Sequence, residues 1–215
     1  MSTSVDYLVL TAGWVCWCTL HSVLITTALT TYLRARWPQA SPYYRLTYNG
    51  FSLVSLLPLW WWTFAIRATE APVFIWTLPS ELIRYSLLCC AMVLFISGAW
   101  FYDMQRFLGI RQLTDGYQES LSDPDIVVSH GVSRYIRHPW YLAGILLIWV
   151  GGQTLYPSSI LVATIVTGYF FIGSRLEDKK LVSRYGVAYR NYMARVPGII
   201  PLLPRRANNS SHQDE

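Results

Sequence analysis

Charge is scarce in this sequence. Only 13% of its 215 residues are Asp, Glu, Lys or Arg, about half the share of a soluble domain. A disordered chain needs the opposite balance, high charge and low hydrophobicity, and is excluded. With 53% apolar residues and a mean hydropathy of +0.30, most soluble folds are excluded as well. Cysteine is also rare. Cys16, Cys18, Cys89 and Cys90 all lie in apolar stretches, no CxxC occurs, and no histidine stands at ligand spacing to them. They read as small packing residues, and no metal site is expected. No internal repeat is visible.

Long uncharged runs are what the sequence does have. Residues 7–33 contain one ionisable group, His21, and residues 46–66 and 85–102 contain none. Each is about the length of a membrane crossing, roughly 20 apolar residues. Residues 139–174 are also free of charge, but that much helix would be roughly 54 Å long, too long for one crossing. Tyr156-Pro157-Ser158-Ser159 supplies a break near its middle, which predicts a helical hairpin. The reading is an all-α, polytopic membrane helix bundle with five spans, at about 7–33, 46–66, 85–102, 139–155 and 157–174. A cytoplasmic helix over about 175–195 follows. Residues 1–207 form a single domain in this reading, and 208–215 a polar, disordered tail. The first residues have no basic n-region and the first span is too long for an h-region, so no cleaved signal peptide is expected.

Basic residues orient the bundle. Only Arg67 and Arg84 fall on one side of the five spans, and every other Lys and Arg falls on the opposite side. The positive-inside rule puts that basic side in the cytoplasm, the N-terminus outside and the C-terminus inside. Trp60, Trp61, Trp62 and Trp76 then stand in the outer interfacial belt. The formal charge of +5 is accounted for by topology and anionic headgroups of the lipid bilayer, not by a nucleic-acid partner.

Two polar segments stand on the cytoplasmic side, one before the fourth span and one after the fifth. The first closes with Arg137-His138-Pro139-Trp140-Tyr141. Pro139 suits the first turn of a helix, where its missing N–H costs nothing. His138 then stands at or near the N-cap, at a helix end whose free N–H groups favour an anion. Tyr141 reaches back to the same mouth. Taken singly these are equally interfacial anchors and a belt tyrosine; as a compact unit they point to a site. The second segment opens with Arg175-Leu176-Glu177-Asp178-Lys179-Lys180. Leu181, Tyr185, Tyr189 and Tyr192 recur at helical spacing, and Glu177 lies one turn before Leu181 on that face. An acid at the end of a span needs a partner: a ligand, or a salt bridge to Arg137 or Arg134. Arg175 and Lys179 repel mildly at i,i+4, which a nearby anion would relieve. His21, with Ser22 beside it, is the ionisable residue placed mid-span. It reads either as a functional group or as a neutral histidine bonded between helices. Asn49 is positioned to bond His21 or Ser22 across the bundle.

These residues resemble the isoprenylcysteine carboxyl methyltransferase-like family of integral-membrane methyltransferases. The matching features are Arg137-His138-Pro139-x-Tyr141, Glu177-Asp178, Tyr185-Gly186-x-x-Tyr189-x-x-Tyr192, and Val196-Pro197 with Ile200-Pro201. Within that superfamily the N-terminal half resembles the bacterial methanethiol S-methyltransferases through His21-Ser22, Tyr44-Arg45-x-x-Tyr48 and Phe107-Leu108-Gly109-Ile110-Arg111-Gln112. The resemblance implies S-adenosylmethionine as cofactor. By position it assigns cofactor binding to His138, Pro139, Tyr141 and Glu177, with Gln112 and the backbone of Val127 and Val128. It implies a cytoplasmic site, and a bacterial inner membrane. Ser133 replaces the family's usual aromatic, and Gly173 stands where the eukaryotic enzyme has a substrate arginine. That departure leaves Arg175 to serve a different nucleophile.

The chemistry of the residues agrees. Glu177 suits the cofactor's ammonium or ribose hydroxyls, and His138 with the helix N-terminus suits its carboxylate. Methyl transfer then needs alignment and a dry site. A thiol must first lose a proton; Arg175 and His21 are the catalytic candidates, with Ser22, Tyr48 and Asn49 lining the substrate pocket. The expected acceptor is a small thiol such as methanethiol, giving dimethyl sulfide. The alternatives are a larger lipophilic acceptor or a non-enzymatic assembly protein of the same fold. The oligomeric state is not legible.

Overall fold

The computed structural model describes residues 4–101, 103–114 and 131–201. Among them nine α-helices carry the architecture. α1 is Ser4–Leu24, α2 Thr27–Arg36, α3 Tyr44–Arg67, α4 Ser80–Phe101, α5 Met104–Leu108 and α6 Arg111–Thr114. α7 is Pro139–Val150, α8 Pro157–Tyr185 and α9 Val187–Arg195. Short 3-10 helices cover Pro38–Tyr43 and Gly131–Arg134. Two short strands, β1 Phe74–Ile75 and β2 Thr154–Leu155, pair antiparallel.

Three helices, Ser4–Leu24, Ser80–Trp100 and Pro157–Tyr185, are long and apolar enough to cross a membrane. α3 is equally long, but its run of serines and tryptophans makes it less apolar. α7 has 12 residues, about 18 Å of rise against a hydrocarbon core of about 30 Å. It ends well before the expected 155 because Gly151 and Gly152 follow.

The first expected span does not run unbroken to residue 33. α1 stops at Leu24 and α2 starts at Thr27. A threonine-rich stretch lies at this point, and the Thr26 side chain caps α2 by accepting from the Leu29 N–H. Thr and Ser favour such caps over helix interiors. The Tyr44 hydroxyl donates to the Leu24 carbonyl, occupying one acceptor freed at the end of α1. His21 is therefore in the last turn of α1 and not mid-span.

The expected cytoplasmic helix is not a separate element at its start. α8 continues through residue 174 to Tyr185, and the break comes at Gly186. Gly186 has φ +60° and ψ −125°, a conformation open essentially to glycine alone. It redirects the chain into α9.

Packing runs from α4 to α7, from α7 to α8, and from α8 to the pair α1 and α3. Leu10, Trp14, Ile66 and Val162 form the core where α1, α3 and α8 meet. α4 and α7 approach closely because Gly98 faces Trp140. A Cβ there would collide with the indole nitrogen, which donates to the Phe95 carbonyl at 3.0 Å.

The α7–α8 turn is fastened by two charged side chains, Arg84 from α4 and Glu70 from the turn that follows α3. Arg84, buried, donates from Nε to the carbonyls of Val150 (3.0 Å) and Gly152 (3.2 Å), closing the C-terminus of α7. Glu70 accepts from the Ser158 N–H (3.1 Å) and hydroxyl (2.6 Å) at the N-terminus of α8, and from the Tyr7 hydroxyl (2.5 Å). Cations suit helix C-termini and anions suit N-termini.

Candidate functional site

The site is assembled where α7 begins. His138 is the N-cap of α7 and Pro139 its first residue, the arrangement that proline favours. The chain's C-terminal segment anchors the entry. Arg137 and His138 donate their N–H groups to the carbonyls of Pro197 (2.9 Å) and Gly198 (3.2 Å). The Arg137 Nη1 donates to Met193 O (3.0 Å) and Val196 O (2.7 Å). The Tyr192 hydroxyl donates to Ser133 O at 2.6 Å. The tyrosine stripe is thus a packing face with a polar edge: Tyr189, Tyr192 and Val196 form a second small core.

Asp178 is the hub, and sequence reasoning gave it no role of its own. It is buried. Its Oδ2 pairs with Arg137 Nη2 at 2.8 Å, and its Oδ1 lies 3.0 Å from His138 Nε2 and 2.7 Å from the Tyr189 hydroxyl. The anticipated salt bridge from Arg137 to Glu177 goes instead to this neighbouring acid. Two adjacent basic groups beside a buried helix start are the signal that a second carboxylate was needed. Burial, then the hydrogen bond to Asp178 and the charge of that carboxylate, pushes the Tyr189 phenol far above its ordinary range; it is a permanent donor.

Glu177 is left for other partners. The Tyr141 hydroxyl donates to its Oε2 at 2.8 Å, and His138 Nδ1 lies 3.6 Å from the same oxygen. The Glu177 side chain is 36% exposed and that of His138 only 5%. The rings of His138, Tyr141 and Phe170 stack in sequence with centroids 5.3 Å apart. Gly173, one turn before Glu177, faces the Tyr141 hydroxyl.

A second polar cluster joins the end of α1 to α3 and α8. The Tyr48 hydroxyl lies 2.8 Å from His21 Nε2, the Ser52 hydroxyl lies 3.1 Å from His21 Nδ1, and Ser22 donates to the Tyr169 hydroxyl at 3.3 Å. His21 stacks on Trp17 at 5.0 Å and meets Tyr169 edge-on at 6.2 Å. Tyr169 adjoins Phe170, so a run of rings links this cluster to Tyr141. Ser52, Tyr169 and Trp17 were not singled out from sequence, and nothing in their types or spacing marks them.

Other candidates lie elsewhere. Asn49 does not reach His21 or Ser22; its amide donates to the carbonyls of Phe107 (3.1 Å) and Leu108 (3.0 Å) at the end of α5. Arg45 reinforces this, donating to Phe107 O and lying over the Phe107 ring, which in turn packs edge-on against Trp140. α5 thereby straps α3 to α7. Gln112, on α6, donates to Arg106 O at 2.9 Å, and its buried Oε1 has no partner among the described residues. Arg175 is exposed on α8 and makes no hydrogen bond among the described residues. Val127 and Val128 lie outside the described residues. No cluster of three or more His, Cys, Asp or Glu at metal-binding geometry occurs among the described residues.

Sequence comparison finds the chain similar to proteins named as methanethiol S-methyltransferases and as a protein-S-isoprenylcysteine O-methyltransferase, which bears out the resemblance read from its motifs. The particular relatives are mostly methanethiol S-methyltransferases. That of Crocosphaera subtropica is 27% identical over 169 residues, covering 77% of this chain and 64% of the relative. Methanethiol S-methyltransferase 1 of Bradyrhizobium diazoefficiens is 27% identical over 186 residues, covering 84% and 62%. The protein-S-isoprenylcysteine O-methyltransferase of Schizosaccharomyces pombe is 34% identical over 83 residues, 37% of this chain and 34% of the relative. The chain spans a little under two thirds of the length of the first two relatives. No protein-family profile matches, and no solved structure matches.

Proposed function

We propose that this integral-membrane protein is an S-adenosylmethionine-dependent methyltransferase that S-methylates a small thiol, such as methanethiol to dimethyl sulfide. The observation that carries the reading is the convergence of His138, Tyr141 and Glu177 at the start of α7, in a chain whose relatives are named for this reaction. The residues fit the cofactor chemically. Glu177 is a half-exposed carboxylate with acceptor capacity remaining, and the Gln112 Oε1 is a buried acceptor without a partner among the described residues. Acceptors of this kind suit an ammonium and ribose hydroxyls.

When bound, the cofactor supplies an electrophilic methyl group on a sulfonium. In this reading Glu177 receives the ammonium and Tyr141 holds Glu177 in place. The N–H groups of the first turn of α7 face the carboxylate, with His138 and Pro139 setting their direction. Gln112, Val127 and Val128 complete the cofactor's surroundings. His21 accepts the thiol proton, and Tyr48 and Ser22 hold its ring and its neighbour Tyr169. Arg175 favours the thiolate through space. Asn49 shapes the pocket indirectly, by anchoring the strap of α5.

The same proposal takes residues 1–207 as one domain crossing a bacterial inner membrane five times, N-terminus outside. The site then opens on the cytoplasmic side and a volatile thiol reaches it from lipid. A second reading, a larger lipophilic acceptor, is favoured by the isoprenylcysteine methyltransferase relative. Incubating the purified protein with methyl-labelled S-adenosylmethionine and either methanethiol or a prenylcysteine analogue separates them. Labelled dimethyl sulfide is the expected product; label confined to the lipid fraction selects the second reading.

A further inference from the structure

The two nitrogens of His138 face different partners. Nε2 lies 3.0 Å from Asp178 Oδ1. A carboxylate only accepts, so Nε2 carries a proton. Asp178 cannot swing away, because Arg137 Nη2 and the Tyr189 hydroxyl hold it at 2.8 Å and 2.7 Å. Stacking on Tyr141 fixes the plane of the ring. In the neutral ring, Nδ1 is then a bare acceptor, 3.6 Å from Glu177 Oε2. That distance is too long for a direct hydrogen bond, and both atoms are lone-pair donors. Two acceptors side by side at a half-exposed mouth call for a group with several N–H donors and positive charge.

The local charge points the same way. Arg137 is committed to Asp178 and to the carbonyls of Met193 and Val196. Those two charges cancel, and Glu177 leaves a surplus of one negative charge beside Nδ1. A carboxylate placed against Nδ1 would meet both that charge and a nitrogen lone pair.

We propose that Asp178 is a positioning residue that turns the acceptor nitrogen of His138 toward Glu177, so that His138 and Glu177 together receive the ammonium of the cofactor's amino-acid group. This rests on the methyltransferase reading above and reverses the expectation that His138 faces the carboxylate. It predicts competition. A proton on Nδ1 is donated to Glu177 and closes the gap to the ammonium. The charged groups facing His138 are Glu177 and Asp178 from α8 and Arg137 from the turn before α7. Tyr141 from α7 and Tyr189 from α9 are the titratable neighbours.

The test is calorimetric titration of the full-length protein in detergent with S-adenosylhomocysteine, and with methylthioadenosine, which lacks the amino-acid group. Affinity for S-adenosylhomocysteine is expected to fall as the solution is acidified, since a proton on Nδ1 removes the acceptor that the ammonium needs. Methylthioadenosine binding is expected to stay flat, and His138→Gln to abolish the slope. Nitrogen NMR of 15N-histidine-labelled protein, with His138→Gln to assign the signal, is expected to show the Nε2–H tautomer, and Asp178→Asn to redistribute it. If Asp178→Asn does not fold, the wild-type tautomer and the His138→Gln slope decide. Affinity that rises as pH falls, or an Nδ1–H ring, overturns the proposal alone. No binding of either nucleoside at any pH overturns the methyltransferase reading, and the proposal with it.

Discussion

The Tyr141 hydroxyl donates to Glu177 across 2.8 Å, tying the first turn of α7 to α8 36 residues further along the chain. The tie holds a carboxylate at the mouth while leaving more than a third of its side chain exposed. Replacing Glu177 or His138 by Ala is expected to weaken binding of S-adenosylhomocysteine about tenfold to a hundredfold, the worth of one charge-assisted hydrogen bond. Membrane insertion should be unaffected. Calorimetry on detergent-solubilised protein measures this, and unchanged affinity in both variants would remove them from the cofactor site.

His21 and Tyr48 act away from the cofactor in our proposal. His21→Ala and Tyr48→Phe are expected to lower the turnover of methanethiol about a hundredfold, the usual scale of general acid–base catalysis. Cofactor affinity should change by less than about threefold. Labelled dimethyl sulfide counted alongside calorimetry separates the two quantities. A parallel loss of both would place these residues in scaffolding.

Glu70 joins Tyr7 on α1 to Ser158 at the start of α8. Glu70→Ala leaves the Ser158 N–H and hydroxyl and the Tyr7 hydroxyl without their acceptor. A loss of about 1–3 kcal/mol of stability is expected, read as a lower thermal midpoint in detergent. Activity per folded molecule should persist, because this cluster is at the opposite end of α8 from Glu177.

Gly186 has a left-handed φ with open space around its α-carbon. Gly186→Ala therefore strains the backbone without a clash, at about 1–3 kcal/mol. The expected result is faster proteolysis after Tyr185, since α9 and the segment that docks on Arg137 depend on this turn. Limited chymotrypsin digestion tests it; an unchanged cleavage pattern would argue against that dependence.

Asp103 caps α5 by accepting from the Arg106 N–H and pairs with Arg111. The backbone hydrogen bond first, and then the Arg111 side chain, hold its carboxyl below the usual range. A depressed acid stabilises the folded form above its unfolded titration, and that contribution is lost as pH falls through the folded one. The α5–α6 turn should therefore loosen only below about pH 4. Hydrogen exchange at Arg106 and Phe107 would detect this, and Asp103→Asn should show the looser state already at neutral pH.

Much of this arrangement is legible in the residues. Pro139 and Pro157 mark helix starts by lacking an N–H, and both helices begin there. Arg84 was placed from sequence only by its side of the membrane; it is buried and donates to helix-end carbonyls. What was not legible depends on three-dimensional partners. The end of α1 at Leu24 is set by Tyr44, a residue distant in sequence that reaches the Leu24 carbonyl. Glu177 and Asp178 are adjacent, so they face directions about 100° apart on one helix. Only the docked C-terminal segment decides which of them meets Arg137. Asn49 was expected to bond His21 or Ser22 within the bundle, yet α5 offers it two carbonyls at a helix end, and its amide donates to both.

The caps at the α7–α8 turn have a wider consequence. Arg84 and Glu70 occupy polar backbone groups at both helix ends there, and β1 pairs with β2 across the connection. That end of the hairpin is stoppered by the protein's own side chains. The polar chemistry described above gathers at the other end, around His138 and Glu177. The two helix ends at this turn thus have their polar groups met from within the protein, whereas those around His138 and Glu177 keep acceptor capacity for a ligand.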